Sequence, residues 1–124
     1  MSIFKQQAMF MKACGQTVNI PNASQAALYI ELVNEEYREF WDENVSEYEL
    51  KELIDCLVVL IGYGLSQGWD LDGAWEEVWK SNMSKIDKET GTVLKRADGK
   101  VLKNVATYRP ANLSRFICKK TESQ

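Results

Sequence analysis

Five carboxylates fall at helical spacing in the first half of this chain: Glu35, Glu36 and Glu39, then, after twelve intervening residues, Glu52 and Asp55. Acids three or four residues apart share a helix face, where like charges repel by a few tenths of a kcal/mol per pair. On a helical wheel Glu36 nevertheless lands inside an apolar arc of Leu28, Tyr29, Leu32, Val33, Tyr37, Phe40 and Trp41. Glu39 lands between Leu28 and Leu32, Glu35 at the edge of the arc, and Glu31 further out. Glu52 and Asp55 are neighbours on a following helix, on a face that also carries Tyr48, Cys56, Val59 and Tyr63. The opposite face, Leu50, Leu53, Ile54, Leu57, Leu60 and Ile61, is apolar too, so this helix is expected to be buried on two sides.

Buried ionised carboxylates are costly unless they are paired or bind metal. Residues 31–55 hold ten acids and only two bases, Arg38 and Lys51. A divalent cation would resolve the imbalance. Mg²⁺ prefers oxygen ligands and is commonly held by a few carboxylates plus waters and substrate phosphates, and Mn²⁺ accepts the same donors. The residues alone leave two readings open, a metal site and the ordinary solvated face of a glutamate-rich helix. The chain has no histidine, which removes Ser-His-Asp and Cys-His catalysis and His-ligated zinc.

The elements that must position these acids can be read from caps and breakers. A first helix spans residues 2 to about 14, and Gly15 and Pro21 break it. Asn22 or Ser24 caps a second helix to about Glu43. Ser46 to Glu49 reads as a capping box opening a third helix that runs to about Ser66 and stops near Gly68. Asp70 caps a fourth, through about Lys85, with Trp75 and Trp79 expected in its core. Residues 92–103 then read as two short strands around an Asp-Gly turn. A short last helix is expected over 111–120, with a frayed tail from Thr121. The expected fold is all-α, an antiparallel four-helix bundle with a short C-terminal β-hairpin and basic appendage. It forms one domain over residues 1–124, with a helical core at about 2–86 and a basic segment at about 87–124.

The net charge of −3 hides a split. Residues 80–124 carry eleven bases against four acids, so an acidic module precedes a basic one. No run approaches the roughly 20 apolar residues of a membrane span, and the N-terminus lacks a secretory pattern. Three scattered cysteines, Cys14, Cys56 and Cys118, suit a reducing cytoplasm, with Cys56 expected as a small buried hydrophobe.

The pattern Glu35-Glu36-x-x-Glu39 followed by Glu52-x-x-Asp55 resembles the EExxE…ExxD signature of the all-α NTP pyrophosphatases. That superfamily includes MazG-like proteins, phosphoribosyl-ATP pyrophosphohydrolase and the dimeric dUTPases. The resemblance covers roughly residues 24–86, and the ending "DGKVLKNVATYRPANL" is similar to that of small phage-type MazG-like proteins, with Ala111 and Asn112 where Pro and Asp are usual. It implies Mg²⁺-dependent hydrolysis of a nucleoside triphosphate to the monophosphate and pyrophosphate. It implies that Glu35, Glu36, Glu39, Glu52 and Asp55 are the metal-binding and catalytic carboxylates. It also implies phosphate contacts from Asn82 and Lys85 in "SNMSK".

Lys100, Lys103 and Arg109 are further phosphate candidates, with plain surface charge as the alternative for each. Tyr108, Trp41, Tyr48 and Phe4 are candidates for stacking on a base, and Asn19 and Asn22 for its edge. The tail similarity leans toward dGTP, with dCTP, dUTP and phosphoribosyl-ATP as other substrates. The family resemblance implies a homodimer or homotetramer in the cytoplasm, a host's if the gene is a phage's. A non-enzymatic acidic interaction module is the competing reading. Nucleic-acid binding is disfavoured by the acidic chain and by the scarcity of aromatics among the basic residues.

Overall fold

The structure, a computed structural model, describes residues 1–117. Four helices come first: α1 (Ile3–Ala13), α2 (Ala23–Asp42), α3 (Ser46–Ser66) and α4 (Leu71–Met83). A two-stranded antiparallel sheet follows, β1 (Leu94–Lys95) and β2 (Val101–Leu102), and then a 3-10 turn at Ser114–Phe116. The all-α class is as expected. Of the last helix expected over 111–120, the described part is this one turn. Cys118 to Lys120 and the tail from Thr121 lie outside the described residues.

Most helix boundaries sit where side chains can satisfy the first free backbone N–H groups. Ser2 Oγ accepts from the Lys5 N–H at 3.2 Å, Asn22 Oδ1 from the Gln25 N–H at 3.1 Å, and Asp70 Oδ1 from the Gly73 N–H at 3.1 Å. The start of α3 differs from the expected capping box. Val45 holds the cap position without a side-chain bond, and Ser46 is already helical. Glu43 Oε1 instead accepts the N–H groups of Asn44 and Val45, at 2.9 and 3.0 Å, and so shapes the tight link between α2 and α3.

That three-residue link forces α2 and α3 to run antiparallel. The far ends of the pair are fastened by the Asn22 N–H to the Ser66 carbonyl at 2.8 Å and by Gln25 Nε2 to Ser66 Oγ at 2.8 Å. Between them Tyr29 lies over Gly62, where any Cβ would overlap its ring. α1 packs on α3, and the core gathers there: Met11, Tyr29, Val59, Ile61 and Leu65, flanked by Phe4, Ala8, Leu32, Val33 and Leu71. α4 meets α3 through Leu71 against Gly64.

Two expectations about burial fail. α3 is not covered on both sides, because α2 takes the face with Glu52, Asp55 and Val59. Leu50, Leu53, Ile54, Leu57 and Leu60 remain exposed. Trp75 and Trp79 are likewise exposed, because the inner face of α4 is built from Gly73, Glu77 and Ser81 and admits no indole. The hairpin forms with Leu94 opposite Leu102 and Lys95 opposite Val101, its turn closed by Arg96 N–H to the Lys100 carbonyl at 2.7 Å. Gly99, at φ 93°, supplies the left-handed residue that this turn needs.

Candidate metal centre

The antiparallel pair brings the acids together by simple register. Glu36 lies six residues before the end of α2 and Glu52 six residues after the start of α3, each about 9 Å along its helix from the shared link. The two side chains therefore stand level across the interface. Glu39, one turn nearer the link, completes the group. Carboxylate oxygens of Glu36, Glu39 and Glu52 all lie within 4.8 Å of one another. Glu36 and Glu52 are half-buried and Glu39 is exposed, so the cluster opens to solvent on the Glu39 side.

Glu36 Oε2 and Glu52 Oε2 are buried without a hydrogen-bond partner. Each orphaned polar group costs about 1–3 kcal/mol, more when charged. Burial pushes the Glu36 carboxyl up to about 7, helped by the crowding of Glu39, Asp55 and Glu52. All donors present are oxygens, the set a hard divalent cation prefers. The buried orphan oxygens and the proton held near neutrality both mark a place where positive charge is missing. The residues present fit such an ion.

Asp55 follows Glu52 by one turn and is paired with Lys51, Nζ to Oδ2 at 2.7 Å. Lys51 is largely exposed, and its pKa is raised chiefly by the bond to Asp55. Glu52 and Glu36 add smaller attractions to the same ammonium, which makes no ion pair with either. The other cation of this stretch, Arg38, turns its Nε to its own helix, donating to the Asn34 carbonyl at 3.3 Å. Glu35 is exposed and stands outside the group, as its place at the edge of the wheel implies. Cys56, expected to be a core filler, is half-buried, and its thiol is pushed up by burial and then by Glu36, Glu52, Asp55 and Glu39. It stays protonated beside the carboxylates.

The basic candidates occupy other parts of the chain. Lys85 Nζ donates to Asn82 Oδ1 at 3.1 Å, which joins two of them at the end of α4. Lys103 stands 5.1 Å over the Tyr108 ring. Lys100 is in the hairpin turn, and Arg109 reaches Glu77 at 3.8 Å. Among the described residues no ion pair links any of these to Glu36, Glu39 or Glu52. The stacking candidates divide. Phe4 is engaged with Trp75 at 6.1 Å, whereas Trp41, packed on Tyr37 and Phe40, stays 65% exposed two residues from Glu39. Tyr48 is also exposed. Asn22 is occupied as a cap and by its bond to Thr17, while Asn19 is exposed at φ 67°.

A groove of about 420 Å³ between α1 and the α3–α4 connection includes Phe4, Leu65 and Trp69. Leu65 is thirteen residues from Glu52, roughly 20 Å along α3, so this groove is remote from the carboxylates.

No protein-family model and no curated protein matches the chain.

One residue that the sequence reading did not single out is buried: Glu77. Its signal was a carboxylate four residues from Gly73 and Ser81 on one small-residue face.

Proposed function

We propose that this protein is a Mg²⁺-dependent nucleoside triphosphate pyrophosphohydrolase of the MazG-like all-α type. The observation that carries this reading is the pair of orphaned buried oxygens on Glu36 and Glu52 within a three-glutamate cluster. Glu36, Glu39 and Glu52 hold the ion. Once bound, Mg²⁺ neutralises phosphate charge and lowers the pKa of a bound water, with Mn²⁺ as substitute. In this reading Asp55, paired with Lys51, orients or deprotonates the attacking water. Glu35 acts from the rim, as a more distant holder of charge. Asn82, Lys85, Lys100, Lys103 and Arg109 stabilise charge on the pyrophosphate as it leaves. In this reading Trp41, exposed two residues from Glu39, takes the base, and Tyr108 is a second candidate. The preferred substrate in this reading is dGTP.

The working unit is a homo-oligomer. A compact monomer of 14.2 kDa exposes about 6,800 Å², whereas this chain exposes 8888 Å². Setting aside a full extended-chain allowance of roughly 1,200 Å² for residues 118–124 leaves an excess on the order of 1,000 Å². A standard interface covers about 800 Å² per partner. A second copy laid on the leucine face of α3 closes the helices into a four-helix bundle around the seam of Leu50, Leu53, Leu57 and Leu60. It also brings a second basic segment into the assembly. No described helix is long and apolar enough to cross a membrane, and the free Cys14 and Cys56 suit a reducing cytoplasm.

An acidic interaction module would display its acids fully to a basic partner. Half-burial of Glu36 and Glu52 speaks against that. The deciding experiment is isosteric replacement: Glu39→Gln or Asp55→Asn abolishes pyrophosphate release while circular dichroism and melting stay close to wild type. Normal turnover in these variants would refute the site.

A further inference from the structure

Glu77 is the only buried acid among the described residues, at 7% exposed. It lies on a face of α4 made by Gly73, Glu77 and Ser81, which Ser84 continues past the helix end. Residues 107–116 run over this face in the opposite direction. Thr107 Oγ1 donates to the Ser84 carbonyl at 2.7 Å, and the Arg109 N–H to Ser84 Oγ at 2.8 Å. In the middle, the Asn112 N–H donates to Glu77 Oε2 at 3.1 Å. At the far end the Phe116 carbonyl accepts from the Asp70 N–H at 2.9 Å, and its ring stands over Gly73, where a Cβ would collide with it.

The spacing explains why an extended segment can follow the helix. Ser84 to Glu77 and Glu77 to Asp70 are each seven helical residues, about 10.5 Å. Arg109 to Asn112 is three residues, about 10 Å when extended, and Asn112 to Phe116 is one such step followed by the 3-10 turn, about 9 Å in all. The anchors therefore match in rise. The central one is made by a charged side chain. Arg115 reaches Glu77 Oε1 at 3.6 Å and Arg109 reaches Oε2 at 3.8 Å, while both arginines remain more than half exposed. The Asn112 N–H, together with these guanidinium groups and Lys80, holds the carboxyl below its usual range.

We propose that Glu77 is a positioning residue that latches residues 107–116 along α4 and so fixes Arg109 at the Ser84 end of the helix, next in the chain to Asn82 and Lys85. An amide at position 77 keeps an acceptor for Asn112 but loses both guanidinium attractions, so the strap loosens while the α2–α3 pair stays intact. The consequence for phosphate binding rests on the pyrophosphohydrolase reading. The latch itself does not.

The test is hydrogen exchange on the full chain, comparing wild type with Glu77→Gln, Arg115→Gln and the double variant. Glu77→Gln accelerates exchange across 107–116 at least tenfold and leaves 23–66 unchanged. Arg115→Gln, at an exposed position, accelerates the same segment to a smaller degree, and the double variant is no faster than Glu77→Gln because both act on one contact. Unchanged exchange over 107–116 in both single variants overturns the latch. So does acceleration spread equally over every helix, which would make Glu77 a general support of the fold. In turnover, Glu77→Gln lowers kcat/KM for the triphosphate at least fivefold, with the loss in kcat, because Arg109 acts on charge that develops as pyrophosphate leaves. An unchanged kcat/KM despite a loosened strap overturns the positioning role. A wild-type protein without turnover refutes the proposed function, and the exchange result still decides whether the latch exists.

Discussion

Glu36 on α2 and Glu52 on α3 stand level across a helix interface, each with one buried carboxylate oxygen that meets no donor. The relationship follows from a three-residue link and equal offsets on either side of it. Its energetic consequence is a site that favours a proton or a cation.

The first prediction concerns pH in the absence of metal. The Glu36 carboxyl titrates at about 7 in the folded chain against an ordinary 4.5. Between those values the folded state binds more protons than the unfolded state, so stability falls as pH rises through the window. Protein treated with chelator melts at a higher temperature at pH 5.5 than at pH 7.5. Glu36→Gln, which carries no charge in either state, flattens the difference. An equal slope in the variant would assign the effect to other groups.

Metal should act in the opposite sense. At pH 7.5 protons compete only weakly with Mg²⁺ for Glu36. An ion present at ten times its Kd stabilises by about 1.4 kcal/mol, a rise of roughly 4–8 °C in a domain of this size. At pH 5.5 the same concentration gives a smaller rise. Glu52→Gln removes the response at both pH values, as differential scanning fluorimetry will show. Persistence of the response in Glu52→Gln would place the ion elsewhere.

The helix seam makes a separate prediction. A methyl group at Gly62 overlaps the Tyr29 ring, and Tyr29 is also held by its hydroxyl donating to Gln16 Oε1 at 2.7 Å. Gly62→Ala therefore costs about 1–3 kcal/mol of overpacking. Urea unfolding reads this as a lower midpoint with an unchanged m-value. A midpoint equal to that of wild type would mean that the α2–α3 pair separates easily.

Oligomerisation can be tested at the exposed leucine face of α3. Leu57→Lys places a charge in the middle of the seam and shifts light-scattering mass from a multiple of 14.2 kDa to one chain, with helical content retained. A wild-type protein already of one-chain mass at 100 µM concentration would contradict the seam.

Much of the helical order was legible because caps and breakers act locally. Asn22, Asp70 and Gly68 each mark a boundary through bonds within a few residues. The carboxylate cluster was legible in part, since the wheel placed Glu36 in an apolar arc and Glu35 at its edge. Choosing between the two apolar faces of α3 was beyond the sequence, because both arcs satisfy the helical period and only the partner helix decides. α2 takes the acidic arc, and the leucines stay outside. Trp75 and Trp79 misled for a related reason: aromatic residues at helical spacing read as core, yet α4 packs through its small residues. Glu77 was invisible beside Glu76, since its partner Asn112 lies 35 residues away. The capping box at Ser46 failed because the Val45 carbonyl already accepts the Glu49 N–H, at 2.7 Å, that the Ser46 hydroxyl would have taken.

The most direct test of the central claim is pyrophosphate release from a panel of ribo- and deoxyribonucleoside triphosphates, with and without Mg²⁺. The account predicts metal-dependent release with the monophosphate as co-product, strongest with dGTP. Absence of release across the whole panel in Mg²⁺ and in Mn²⁺ would contradict it and return the carboxylates of α2 and α3 to a binding role.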